Sequence, residues 1–151
     1  MCPCQKPHID AARAAVVSEA ETWLRTPYHH RAHLKGVGVD CAWLLIEVFA
    51  ACGHVDRFDP GEYPIDWMMH RDEERYLFWV EQYGRRIEHP QPGDVAVWKF
   101  GRSFSHGAIV AEWPLVIHAF RRDGMVLYAD ATQGDLAGRE VRFYTLQRGD
   151  E

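Results

Sequence analysis

Apolar residues follow two different patterns along this chain, and the change of pattern predicts its architecture. In the first part the spacing is helical. Ala11, Ala15, Val16 and Trp23 recur at helical intervals, which predicts a helix over Asp10 to Leu24 that Pro27 stops. The run from Cys41 to Cys52 (CAWLLIEVFAAC) is almost wholly apolar and precedes Gly53, as a buried helix with a glycine C-cap would. A third, amphipathic helix is predicted over Asp72 to Tyr83, ending at Gly84. Loops are predicted at 26–39 and at 54–66, the latter from Pro60, Gly61 and Pro64. After the turn signal PQPGD the runs become short and β-rich: Val95 and Val97, Ala108 to Ala111, Val116 to Phe120, Met125 to Ala129 and Val141 to Leu146. Helices followed by strands on short turns predict an α+β domain with an antiparallel sheet.

The length of 151 residues, without repeats or a linker, predicts one domain over residues 1–151 with a core that needs no metal or disulfide. No window reaches the ~18 consecutive apolar residues of a membrane span. The start, MCPCQKPHID, lacks the basic and apolar stretches of a secretory signal, so the expectation is a chain made in the cytoplasm with reduced thiols. Net charge is −5 and the arginines are scattered, which argues against a nucleic-acid partner.

The candidate chemistry begins at GVGVDCAWLL, residues 36–45. Asp40 is positioned to cap the second helix and Cys41 to be its first residue, where unpaired N–H groups and the helix dipole favour a thiolate. Such a site can bring a thiol from about 8.5 to roughly 3.5–7.5. The same N–H groups would hold an oxyanion. A hairpin centred near Glu112 would set His106 opposite His118, with Cβ atoms about 4.5–5.5 Å apart on one sheet face. One imidazole would then serve Cys41 as base while the other orients it. A lone cysteine in an apolar run is ordinarily packing, as Cys52 is read here. Asp40, the histidine pair and Tyr28 together favour a nucleophile at Cys41.

These residues resemble the NlpC/P60 cysteine peptidases of papain-like fold. The resemblance rests on TPY (26–28), VDC (39–41), PGD (92–94), SHGAIV (105–110) and VIHA (116–119), in order and near the family's spacing, over residues 10–130. It is nearest the branch associated with phage tails and gene-transfer particles. It implies a peptidoglycan hydrolase cutting stem peptides at the γ-D-glutamyl link to a diamino acid, with no cofactor. In that reading Cys41 is the nucleophile, His106 the base and His118 the orienting residue. Tyr28 would serve the oxyanion, Asp40 would line the substrate pocket, and phage tail proteins would be partners. Ala42 and Trp43 stand where the family usually has Ser-Gly, which removes a hydroxyl and adds an indole that would bear on substrate choice.

Other polar clusters carry less. His29, His30 and His33 lack compact zinc spacing and read as a solvated loop or substrate rim. Cys2, Cys4 and His8 lack a fourth ligand, so no metal site is expected. Asp94 is assigned to its turn, and Trp67, Trp79, Trp98 and Trp113 to the core or a groove wall. The rival readings are an inert tail component of the same fold, a related Cys-His amidase or acyltransferase, and, last, a metal-binding module.

Overall fold

The computed structural model describes residues 10–60 and 75–147. The expectations for Cys2, Cys4, His8, Trp67 and residues 61–66 and 72–74 fall outside that range. Among the described residues three helices, α1 (Ala11–Glu21), α2 (Cys41–Ala51) and α3 (Arg75–Tyr83), precede most of the strands. A small hairpin, β1 (His33–Leu34) with β2 (Gly38–Val39), lies between α1 and α2. The main sheet comprises β3 (Arg85–Ile87), β4 (Val95–Phe100), β5 (Ser103–Glu112), β6 (Leu115–Phe120), β7 (Met125–Asp130) and β8 (Val141–Thr145). Its order is β3-β8-β4-β5-β6-β7 and its pairs are antiparallel. The α+β class with an antiparallel sheet is therefore what forms. Among the described residues no helix is long and apolar enough to cross a membrane.

Each helix has a local cause. Asp10 caps α1, its carboxylate accepting from the Ala12 N–H at 2.8 Å. This helix ends at Glu21, three residues before its predicted end, and Arg25 beyond it takes a left-handed φ of 70°. All of α2 from Cys41 to Phe49 is buried, because it packs on β5, β6, α1 and β1 at once. That explains why its sequence shows no polar stripe. The C-cap is Cys52, half-buried, with Gly53 following at φ 82°.

Strand alternation gives the sheet two apolar faces. Val95, Val97, Ile109 and Ile117 join the helices in one core, while Ala96, Trp98, Phe100, Ala108, Val110, Val116 and Phe120 form a second with Leu136. Trp79 and Trp113 pack against other aromatic rings, and Trp98 is buried. The PGD turn does more than reverse the chain. Asp94 Oδ2 accepts the Gln91 N–H at 2.8 Å, while Oδ1 accepts from Arg13 of α1 at 2.7 Å, tying the first helix to the start of β4.

Candidate active site

The loop before α2 and the helix itself are fastened at Asp40. Its Oδ1 accepts the Trp43 N–H at 3.0 Å, the N-cap bond expected. Its Oδ2 accepts the Arg31 N–H at 2.6 Å and lies 4.0 Å from His30 Nδ1. Arg31 is held at a left-handed φ of 65°, a conformation that a non-glycine residue adopts at a cost and that this bond stabilises. With 1% exposure and both oxygens accepting from backbone, Asp40 builds the site from beneath.

Cys41 is the first residue of α2 and is 5% exposed. Its thiol donates, at a long 3.9 Å, to the Ser105 carbonyl on β5, one residue before His106. The Tyr76 hydroxyl of α3 donates to the Cys41 carbonyl at 3.2 Å. Glycine is required at the next strand position, because a Cβ on Gly107 would run into the Tyr76 hydroxyl. The expectation of an acidified thiol is overturned. Burial first, and then the negative charge of Asp40, push the Cys41 thiol well above the ordinary range, outweighing the helix start. The resting thiol is neutral.

His106 and His118 do meet, but not as directly opposed residues. Ile109 pairs with Ile117 and Val110 with Val116, then a shift before Glu112 sets that residue against Leu115. A bulge thus replaces the symmetric hairpin, and the histidines sit diagonally on one face. Their rings are still 5.0 Å apart and T-shaped, with His106 Nε2 2.8 Å from His118 Nδ1. Aromatic rings wall them in. Phe120 stacks on His118 at 5.3 Å and meets His106 at 4.9 Å, and Trp98 and Phe100 approach His106 at 6.0 and 5.7 Å. Burial is the first cause holding both imidazoles below their ordinary pKa. For His106 the neighbouring His118 and Arg139 lower it further, whereas Asp123 and Asp135 pull His118 partly back.

His118 Nε2 faces Asp123 Oδ2 at 3.4 Å, an ion-pair distance rather than a close hydrogen bond, and has no other polar partner among the described residues. Asp123 was not anticipated; its only sequence signal is an acid in the turn that ends the strand of His118. It fixes the protons. A carboxylate only accepts, so His118 carries its proton on Nε2 and accepts at Nδ1. His106 then donates from Nε2, and its Nδ1 keeps a lone pair. No hydrogen bond forms at that Nδ1 among the described residues, so neither imidazole is a partner of the thiol.

Tyr28 is half-buried beside the thiol, held by its N–H to the Gly124 carbonyl at 2.8 Å. Burial, followed by the charges of Cys41 and Asp40, raises its phenol so that it remains an O–H donor. Trp43, the indole expected to bear on substrate choice, is 6% exposed, with His33 stacked over it at 3.8 Å. His33 Nδ1 is also 3.1 Å from Glu47, which Arg57 grips through bonds of 3.0 and 2.7 Å. His33 therefore belongs to a clasp over α2, a role its loop position did not signal. Among the described residues no cluster of His, Cys, Asp and Glu has the geometry of a metal site.

No protein-family model matches the chain, and no curated protein is similar to it. Solved structures are. The NlpC/p60 domain of the peptidoglycan hydrolase SagA superposes with a TM-score of 0.62 at 22% identity, covering 88% of this chain and 97% of that one. The peptidoglycan hydrolase RipB from Mycobacterium tuberculosis gives 0.60 at 19% identity over 89% of this chain, which spans 64% of RipB. An N-acetylmuramoyl-L-alanine amidase from Bacteroides uniformis gives 0.60 at 11% identity, over 92% of this chain and 100% of that one. With helices ahead of a six-stranded antiparallel sheet and these matches to its architecture, the chain has the NlpC/P60 fold.

Proposed function

We propose that the protein is a cysteine peptidase that hydrolyses peptidoglycan stem peptides through Cys41, His106 and His118. The observation that carries the reading is the 2.8 Å bond between the two imidazoles, which leaves Nδ1 of His106 on the side away from His118. Two of the solved structures with this fold are named as peptidoglycan hydrolases, which supports the substrate class. The γ-D-glutamyl-diamino acid bond and a setting in a phage-tail particle come from the sequence resemblance.

Because thiol and imidazole both rest neutral, the proton moves as the bond forms. Cys41 Sγ attacks the carbonyl carbon while its proton passes to His106 Nδ1. The Tyr28 hydroxyl and the N–H groups that open α2 stabilise the resulting oxyanion. Collapse of the tetrahedral species expels the amine, which takes the proton from His106 and leaves a thioester on Cys41. Water, deprotonated by His106, then attacks the thioester and restores the thiol. His118 holds the ring and, with Asp123, steadies the transient imidazolium.

Incubation with purified muropeptides and mass spectrometry of the products tests the reading. Cleavage by the wild type and none by Cys41→Ala is the expected result; equal cleavage by both refutes it. The same spectra separate a γ-D-glutamyl cut from the sugar–peptide amide cut of an amidase. One observation favours a second reading, an inert component with this fold: the thiol is buried and neutral. Iodoacetamide separates the two, since an inert Cys41 would label no faster than Cys52 at neutral pH.

A further inference from the structure

Beside the imidazole pair lies an open pocket of about 460 Å³, lined by Phe100, Gly101, Phe120, Arg121, Arg122, Asp135 and Arg139. Its walls are shared with the candidate site, because Phe100 and Phe120 are the rings that enclose His106. Three guanidiniums face a single carboxylate. Arg122 pairs with Asp135 at 2.7 Å while three-quarters of its side chain stays exposed. Arg139 lies flat over Phe100 at 3.8 Å, its Nε donating to the Asp135 carbonyl oxygen at 2.6 Å. Arg121, at the foot of β6, enters no ion pair among the described residues and is near enough for its charge to act on the Tyr28 phenol.

Together these residues form a concave surface beside the imidazoles in which three guanidiniums outnumber the Asp135 carboxylate, with the Asp123 carboxylate on the adjoining turn. Positive charge in such a place is unhelpful to the resting chemistry, since Arg139 disfavours the imidazolium that His106 must become. An anion seated among the arginines cancels that field. Planar guanidiniums suit a carboxylate in particular, through paired N–H···O bonds.

We propose that this pocket binds a free carboxylate of the peptide substrate, with Arg121 and Arg122 as the specificity-determining residues and Arg139 as the fixed wall. The proposal rests on the peptidase reading and deepens it. Stem peptides carry carboxylates on both sides of the γ-D-glutamyl link, and amidated forms remove one without altering the backbone. Seating the anion would select the acid form and offset the arginine charge at His106 in the same event.

The test uses the full chain carrying Cys41→Ala, titrated calorimetrically with L-Ala-γ-D-Glu-diaminopimelate-D-Ala and with forms in which each carboxylate in turn is an amide. One amide is expected to bind about tenfold more weakly than the acid. Arg121→Gln with Arg122→Gln should impose a similar loss on the acid and almost none on that amide. Arg85→Gln with Arg86→Gln, an equal charge change on the far edge strand, should leave both unchanged. Equal affinity for acid and all amides overturns the proposal, as does a loss common to both peptides or matched by the edge-strand variant. Failure of the peptidase reading shows separately, as absence of cleavage by the wild type of a peptide that the Cys41→Ala protein binds.

Discussion

Arg13 with Asp94, and His106 with His118, are both polar pairs buried in this fold, and they are built on opposite plans. The first is a full ion pair whose valences are filled. Asp94 takes Arg13 and the Gln91 N–H, and Arg13 also reaches the Pro92 carbonyl at 3.3 Å and Thr145 Oγ1 at 3.4 Å. The second is uncharged, joined by one hydrogen bond and walled by hydrocarbon. A pair that only holds a fold together uses every donor and acceptor. The pair proposed to transfer a proton leaves one nitrogen uncommitted, and surrounding rings rather than further hydrogen bonds fix its position.

That contrast can be broken in order of effect. His106→Ala should lower turnover per folded molecule on the order of 10⁴-fold, the upper range for loss of a general base. Asp94→Ala should do the reverse: activity per folded molecule persists, while denaturant unfolding shows a loss of about 3–5 kcal/mol, since the buried Arg13 loses its counter-charge. Acid should then expose the histidines. Their folded pKa values lie below the ordinary 6.5, so below that pH the unfolded chain binds more protons and stability falls as pH falls. The slope expected is up to about 1.4 kcal/mol per pH unit for each histidine, and His106→Gln with His118→Gln should flatten it. Smallest is Asp123→Asn. An amide can present a donor to His118 Nε2 and permit the other tautomer, so kcat should fall about tenfold with KM held, and the acid limb of the pH–rate profile should move. An unmoved profile would assign Asp123 a merely structural place.

What could be read from the sequence was what local chemistry decides. Asp40 as cap, Cys41 as first helical residue and the buried α2 follow from residues within one turn of each other. The strands of the second half were legible in their runs, although β5 extends back to Ser103 and forward to Glu112, beyond the predicted Ala108–Ala111. Strands β1, β2 and β3 escaped, being two or three residues long and, in β1 and β3, largely exposed, which leaves no pattern of burial to detect. The diagonal register of the histidines depended on a bulge near Ala111 that the residues there do not announce. The direction of the thiol shift was lost for a different reason: a helix start can be read locally, whereas burial under Tyr76 and β5 is a sum over distant segments. Arg13 with Asp94 and His118 with Asp123 belong to the same class of long-range or turn-borne contacts.

Gly107 carries one more consequence. It sits between His106 and the rest of its strand, and the hydroxyl of Tyr76 occupies the space a side chain would need on its way to the backbone of Cys41. The helix of Cys41 and the strand of His106 are therefore spaced by an atom that is missing. A saturation library at position 107, scored for folded and active protein, should return glycine alone, and Gly107→Ala should become tolerable only when Tyr76 is cut to a side chain smaller than phenylalanine, because the ring carbons Cε1 and Cζ collide as well as the hydroxyl. The gap between thiol and imidazole is thus written at a residue with no chemistry of its own.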